Sequence, residues 1–344
     1  VAVLDSGITA HPDLDANVLP GYDFITEPSI ARDGNGRDAD PTDQGNWEEE
    51  GVCAEGSEAS ESNWHGTHVA GSIAAIMNNK RGIAGVAPNS KILPLRALGM
   101  CGGYDSDIAD AMVWAAGGTV EGVPANTHPA QIINLSLGGE GTCPATYSKA
   151  IAEVNKRGAI LVVAAGNDDQ DTSKIAPANC GGSIVVGSTN QKGQRSDFSN
   201  YGKIVDVSAP GDGIMSTVDL GTTVSTGAGY TEYDGTSMAA PQVAGIIALM
   251  KSVDPSLTAD RAKQVLKQSA KPLTCDVNAC GAGIANAASA LEVLQGKNAT
   301  PAHPKPKRAP KYPTRAARTG YVTNPTTNHN PPFLITPNGL IPGQ

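Results

Sequence analysis

Apolar runs of strand length alternate along this chain with stretches whose apolar positions repeat at helical spacing. Residues 1–4, 91–98, 131–137, 159–165, 183–188 and 204–208 read as strands. Residues 65 to about 78, then 105–117, 147–157, 237–253 and 258–268, read as helices. The strands are continuously apolar rather than alternating, and helices separate them. That combination predicts an α/β fold with a mostly parallel central sheet covered by helices on both faces. Right-handed crossovers then bring the carboxyl ends of the strands to one edge, where a site is expected.

The pattern stops near residue 297. From Pro301 to Gln344 there are ten prolines, no acidic residue and neither helical nor strand periodicity, which reads as an extended, solvated segment. The expected organisation is a folded domain over 1–298 and a Pro-rich basic linker or tail over 299–344. The chain opens directly on a buried strand, with no signal peptide in view. This implies upstream sequence that was processed away or is not part of this chain.

Composition sharpens the picture. Aromatic residues make up 4% and glycines number 40, so the core is built from small side chains with tight turns and close packing. All 34 acidic residues and 18 of the 25 basic ones precede Lys297, so residues 1–296 carry −16 and the remainder +7. An acidic body argues against nucleic acid as a partner and suits bound cations or solubility. No apolar run is long enough to span a bilayer. The six cysteines, Cys53, Cys101, Cys143, Cys180, Cys275 and Cys280, include no C-x-x-C pair, which favours disulfides and an oxidising compartment over zinc or buried thiols.

Three motifs carry chemistry. Val1-Ala-Val-Leu-Asp5-Ser6-Gly7 puts a carboxylate at the carboxyl end of a buried strand. His65-Gly-Thr-His68-Val-Ala-Gly71 and Gly235-Thr-Ser237-Met-Ala-Ala-Pro241 each open a helix. A serine becomes a nucleophile when an adjacent base takes its proton, and histidine has the ionisation range for that work. A buried carboxylate orients the imidazole and stabilises the imidazolium. A helix amino terminus leaves N–H groups free for an oxyanion. Singly, each motif has a plainer reading: a cap or ion pair for Asp5, a metal pair for His65 and His68, an N-cap for Ser237. The H-E-x-x-H glutamate is missing, however, and the joint order Asp, His, Ser favours a triad. An α/β-hydrolase esterase is opposed by Ala239, where its elbow needs glycine, and by the order of the three residues. A non-catalytic protein on the same scaffold is opposed by the presence of every catalytic group.

On these motifs the chain, from Val1 to about Gly296, resembles the subtilases, the subtilisin-like serine proteases. The resemblance implies that Asp5, His65 and Ser237 form the triad, that His68 is structural, and that Asn167, ending the run Ile160-Leu-Val-Val-Ala-Ala-Gly-Asn, is an oxyanion-hole donor beside the Ser237 N–H. It further implies a substrate cleft walled by Ser136, Leu137 and Gly138 on one side and by Gly102 and Gly103 on the other, where missing side chains leave room. Ala164, Ala165 and Gly166 would line the pocket for the side chain before the scissile bond. The activity implied is a secreted endopeptidase of broad specificity acting through an acyl-enzyme on proteins or peptides. It would be monomeric and made with a propeptide that inhibits it and assists its folding.

Calcium is the expected cofactor. The glycine-hinged loop bearing Asp33, Asn35, Asp38, Asp40 and Asp43 concentrates hard oxygen donors, though not at EF-hand spacing. The segment from Met77 to Gly85 resembles the family's strong calcium loop, with Met77, Asn79, Arg81 and Ile83 as donors and Asp13 as the matching carboxylate. Six cysteines allow 15 connectivities. Cys275 and Cys280 are near neighbours in sequence. A Cys53–Cys101 bridge would tether a Glu-rich insertion beside the groove, and Cys143 and Cys180 flank the expected specificity pocket. The pairings favoured are therefore Cys53–Cys101, Cys143–Cys180 and Cys275–Cys280. The whole pattern looks most like secreted, disulfide-bearing subtilases of Gram-negative bacteria such as Dichelobacter.

Overall fold

The computed structural model describes residues 1–296 apart from Asp276 and Asn278, together with the backbone of residues 335–336. The tail expected over 299–344 otherwise lies outside the described residues. A seven-stranded sheet runs through the centre. Its strands are β1 (Ala2–Asp5), β2 (Tyr22–Asp23), β3 (Leu93–Arg96), β4 (Ile132–Leu135), β5 (Ile160–Ala164), β6 (Ile184–Thr189) and β7 (Val207–Pro210). Their spatial order is β7-β6-β5-β4-β1-β3-β2, and every pairing is parallel. The expected architecture is the observed one.

Both faces are covered, which explains the unbroken apolar runs. Leu4, Leu161 and Val163 turn to one side and pack with α2 (Asp105–Ala115) and α3 (Ala145–Lys156). Val3, Ile160 and Val162 turn to the other and pack with α1 (His65–Ala74), α4 (Thr236–Val253), α5 (Ala259–Ser269) and α6 (Ala287–Leu294). Every residue of α1 is buried, because the helix is held between the sheet and an antiparallel hairpin, β8 (Ile214–Asp219) and β9 (Ala228–Tyr233).

Several boundaries differ from the sequence expectation for identifiable reasons. The first helix ends at Ala74 rather than near residue 78. There Asn17 Nδ2 donates to the carbonyls of Ala74 and Pro88, and Ile76 N–H donates to Asp13 O, so the chain is drawn out of the helical path. The hairpin and α6 were not foreseen. Between its strands the hairpin makes an eight-residue turn organised around Asp219, with Trp64 Nε1–H and the Ser62 hydroxyl donating to the carbonyls of Gly221 and Thr223. Asp219 accepts from the N–H groups of Gly221, Thr226 and Gly227 and from the Ser225 hydroxyl. A long loop with a carboxylate at its centre has no hydrophobic period to read.

Three disulfides join Cys53 to Cys101, Cys143 to Cys180 and Cys275 to Cys280, the pairings favoured above. The first fastens the insertion before His65 to the loop that leads into α2. The backbone of Ile335–Thr336 adds as a short parallel strand to Gly103–Tyr104 in that same region, within a stretch in which no strand was expected.

The close seat of α1 against the hairpin rests on Gly71. A Cβ there would lie 2.1 Å from Thr217 Oγ1 and 2.4 Å from Ser216 Oγ. Both hydroxyls are already committed to helix carbonyls, Thr217 to Thr67 and Ser216 to His68. Gly71→Ala is expected to destabilise the fold by about 1–3 kcal/mol through overpacking, read as a lowered midpoint in urea unfolding.

Candidate active site

The carboxyl edge of the sheet collects the residues singled out by the motifs. Asp5 ends β1, Ser136 follows β4, and Ala165, Gly166 and Asn167 follow β5. Two helices aim their amino termini at this edge. α1 begins at His65 after Trp64 adopts a left-handed conformation, and Asn63 Oδ1 accepts the His65 N–H at 3.2 Å. α4 begins at Thr236.

The Asp5 carboxylate has no exposure to solvent. Its Oδ1 accepts from His65 Nδ1–H at 2.7 Å and from the Ser6 N–H at 2.8 Å. A carboxylate oxygen only accepts, so this bond fixes the proton on Nδ1 and leaves Nε2 as the basic nitrogen.

Ser237 is anchored by an exchange with Ser136. The Ser237 hydroxyl donates to Ser136 O at 3.1 Å, and the Ser136 hydroxyl donates to Ser237 O at 2.7 Å. The second bond is possible because of Pro241. Four residues on from Ser237, proline has no N–H to take the Ser237 carbonyl into the helical ladder. The proline in Gly235-Thr-Ser-Met-Ala-Ala-Pro241 therefore frees a carbonyl for the neighbouring strand end. Sequence reading placed Ser136 only on the cleft wall, and its bond to Ser237 adds a second duty.

Asn167 is oriented by Thr236, whose N–H and hydroxyl both donate to Asn167 Oδ1 at 2.8 Å. The amide therefore presents its NH₂. The space above Gly235 decides what that donor can reach. A Cβ on Gly235 would sit 3.5 Å from Asn167 Nδ2 and 3.5 Å from Ser237 N. Two donors border one volume kept open by a missing side chain. Thr236 was not identified from sequence, although its place between Gly235 and Ser237 was the available signal.

Asn200 supports the strand end beside Asn167. Its Oδ1 accepts the N–H groups of Asp168 and Gln170, and its Nδ2 donates to Ala165 O. Ala164 and Ala165 are buried, and Leu137 belongs to the core layer beneath the cleft. Gly102 and Gly103 each answer a constraint of the local backbone. Gly102 has φ +104° and closes a turn with Gly99, and a Cβ on Gly103 would lie 2.2 Å from Ala97 O. Both glycines are required by the local backbone path.

His68 plays another part. Its Nε2–H is shared between Ile214 O at 3.0 Å and Thr231 O at 3.2 Å, and its ring stacks on Tyr233 with centroids 4.5 Å apart. Burial, with a smaller contribution from His65, lowers its pKa to about 3. It stays neutral and ties α1 to both strands of the hairpin.

The residues expected to bind metal divide. The carboxylates of the first loop do not converge. Asp33 pairs with Arg96 at 2.9 Å, Asp38 accepts from Asn35 Nδ2 and Asp40 N–H, and Asp40 caps Thr42. Asp43 leaves the loop altogether, for its Oδ2 accepts from the Ser6 hydroxyl and its Oδ1 from Gly45 N–H. In the second loop, Asp13 accepts from Asn79 Nδ2, Ile83 N–H and the Tyr230 hydroxyl. Asn79 Oδ1 meanwhile accepts Arg81 N–H, and Met77 lies half exposed beside them. Among the described residues the one metal-compatible cluster by geometry is Glu48 with Cys53 and Cys101, and its sulfurs are committed to a disulfide.

With this arrangement in view, the comparisons with known proteins are direct. Residues 1–299 match the Subtilase family. The chain belongs to the subtilases. It is 52% identical over 294 residues to an extracellular protease of Xanthomonas campestris, covering 85% of this chain and 50% of that one. It is 44% identical over 315 residues to the extracellular basic protease of Dichelobacter nodosus, covering 89% and 52%. A solved protease from Pseudoalteromonas arctica superposes with a TM-score of 0.84 at 45% identity, covering 85% of this chain and 89% of that one. The chain spans about half the length of the curated relatives it matches. Among the described residues no helix is long and apolar enough to cross a membrane.

The neutral, buried state of His68 sets a pH dependence. Its pKa is depressed on folding, from 6.5 to about 3, so the unfolded chain takes up the proton first as pH falls. Stability from this residue is complete above the unfolded value and declines below it. Relative to His68→Gln, the chain is expected to lose roughly 2–3 kcal/mol of unfolding free energy between neutral pH and about pH 4.5, measured by urea unfolding at each pH.

Proposed function

We propose that this subtilase is a secreted serine endopeptidase that cleaves proteins and peptides through an acyl-enzyme. The observation that carries the reading is the buried 2.7 Å bond from His65 Nδ1–H to Asp5, made at the same sheet edge as the Ser237 hydroxyl. His65 Nε2 takes the proton from Ser237 Oγ as that oxygen attacks the substrate carbonyl. The carbonyl carbon becomes tetrahedral, and its oxygen, now negative, enters the space bordered by Asn167 Nδ2 and Ser237 N–H. The imidazolium, stabilised by Asp5, returns the proton to the leaving amine as the C–N bond breaks. Water then repeats the sequence, with His65 as base, and releases the acid. The donors and the base are held before substrate arrives, so little reorganisation accompanies the charge change.

The extended substrate runs between the segment Ser136, Leu137 and Gly138 and the segment Gly102 and Gly103, pairing through main-chain groups. Ala164, Ala165 and Gly166 form the walls of a roomy pocket for the residue before the cleaved bond. Small pocket walls and backbone-led binding favour broad specificity. Secretion is supported by the three disulfides and by relatives named as extracellular proteases. The same reading includes a monomeric mature enzyme and a propeptide that inhibits it and aids its folding.

Ser237→Ala is expected to abolish cleavage of casein while leaving the far-ultraviolet circular dichroism unchanged, and casein turnover at the parent rate would overturn the assignment. Asn167→Leu should lower kcat by about 10²–10³ with KM little altered, the scale on which this donor acts in subtilisin itself, a member of the same family.

Calcium fits the second loop. Asp13 is fully buried, and no lysine or arginine pairs with it among the described residues, so a cation would supply the missing countercharge. The Asp13 carboxylate, the Asn79 amide oxygen and the carbonyls of Met77, Arg81 and Ile83 would hold it. All are hard oxygen donors of the kind calcium takes. Bound there, the ion stabilises the loop that follows α1 and takes no part in peptide cleavage. Excess chelator is expected to lower the melting midpoint of the parent and not of Asp13→Ala, and equal midpoints with and without chelator in the parent would count against the site.

A further inference from the structure

One buried acid is absorbed by neither the triad nor the calcium loop. Asp43 is 3% exposed and stands 22 positions before His65, in a loop that returns alongside the end of β1. Ile8 N–H donates to Pro41 O and Asp43 N–H to Ile8 O, each at 3.0 Å, which presses the loop against the segment after Asp5. We infer that Asp43, acting through the Ser6 hydroxyl, is a positioning residue for the Asp5–His65 pair. The inference rests on the endopeptidase reading above.

The Ser6 hydroxyl has one proton and is 1% exposed. It gives that proton to Asp43 Oδ2 at 2.7 Å and accepts from Gly66 N–H at 3.0 Å. Gly66 directly follows His65, so the hydroxyl ties the first turn of α1 to the residue after Asp5. The contact is close, since a Cβ on Gly66 would lie 2.2 Å from Gly7 O and 3.1 Å from Asp5 Cβ. A second consequence concerns charge. Asp5 Oδ2 is buried and no protein donor reaches it among the described residues. With Asp43 as acceptor, the Ser6 proton is turned away from that oxygen. Without it, the Ser6 proton loses its acceptor and the hydroxyl beside the Asp5–His65 pair is no longer fixed in orientation. The helix turn also loses the fixed lone pair that receives Gly66 N–H.

Asp43→Asn keeps the shape and removes the charge. In the full chain, with active sites counted by a fluorophosphonate probe, it is expected to lower kcat on a peptide substrate about tenfold and leave KM within about twofold. Ser6→Ala should act similarly. The double variant Ser6→Ala/Asp43→Asn should be no slower than the slower single one, because both remove the same link. Parent-level kcat per titrated site in Asp43→Asn, even with a lowered melting midpoint, overturns the inference. So do losses that multiply in the double variant. If Ser237→Ala is inactive while Asp43→Asn retains parent kcat, this inference alone fails. If Ser237→Ala remains active, the endopeptidase reading fails with it.

Discussion

A carboxylate with no access to water is the constraint around which this subtilase is arranged. Burying the Asp5 charge costs several kcal/mol unless hydrogen bonds replace its hydration. Two donors meet one of its oxygens, the Ser6 N–H and the His65 ring. Each donor fixes something larger. The first is part of the turn leaving β1, and the second brings the amino terminus of α1 to the sheet edge. Holding α1 there requires a helix with no exposed face, which in turn needs small residues, neutral histidine and a hairpin to cover it. The two hydrogen bonds to Asp5 Oδ1 and the close packing around α1 are therefore one requirement seen at two distances.

The nucleophile is held by a different device. α4 is apolar along most of its length and sits deep in one core layer, so its register cannot slide. Its first turn is opened by Pro241, and the freed Ser237 carbonyl binds Ser136 on the adjacent strand end. Strand and helix thus exchange hydrogen bonds at the point where the chemistry is proposed. The donors around Gly235 are equally fixed, since Thr236 takes both lone-pair positions of the Asn167 oxygen. Polar groups at this edge are bound to one another with few exceptions. The second oxygen of Asp5 and the side-chain oxygen of Asn134 are buried exceptions among the described residues.

Much of this was legible beforehand. The parallel sheet follows from unbroken apolar runs between helical stretches, and residues 160–164 illustrate why: both faces of that strand are buried, so neither tolerates a polar residue. The triad motifs were legible because each places a reactive side chain at a strand end or helix start, a local arrangement that a short segment encodes. The hairpin escaped notice because β9 is half exposed and rich in polar residues, and its turn is organised by Asp219 rather than by any apolar pattern. The contacts of the acidic loop were hidden for a related reason. Oxygen ligands close in sequence suggested a shared cation, yet in the fold they are spent on turns, on Arg96 and on Ser6.

The architecture, the family and the candidate catalytic residues are written in the chain, since they depend on periodicity and on compact motifs. Which oxygens and protons meet is set by the assembled fold. That fold sets Asp43 against Ser6, gives His68 its neutral state, and accounts for the proline in the motif around Ser237. Those outcomes depend on contacts between residues far apart in the chain. Burial sets their energies, and burial is a property of the assembled molecule.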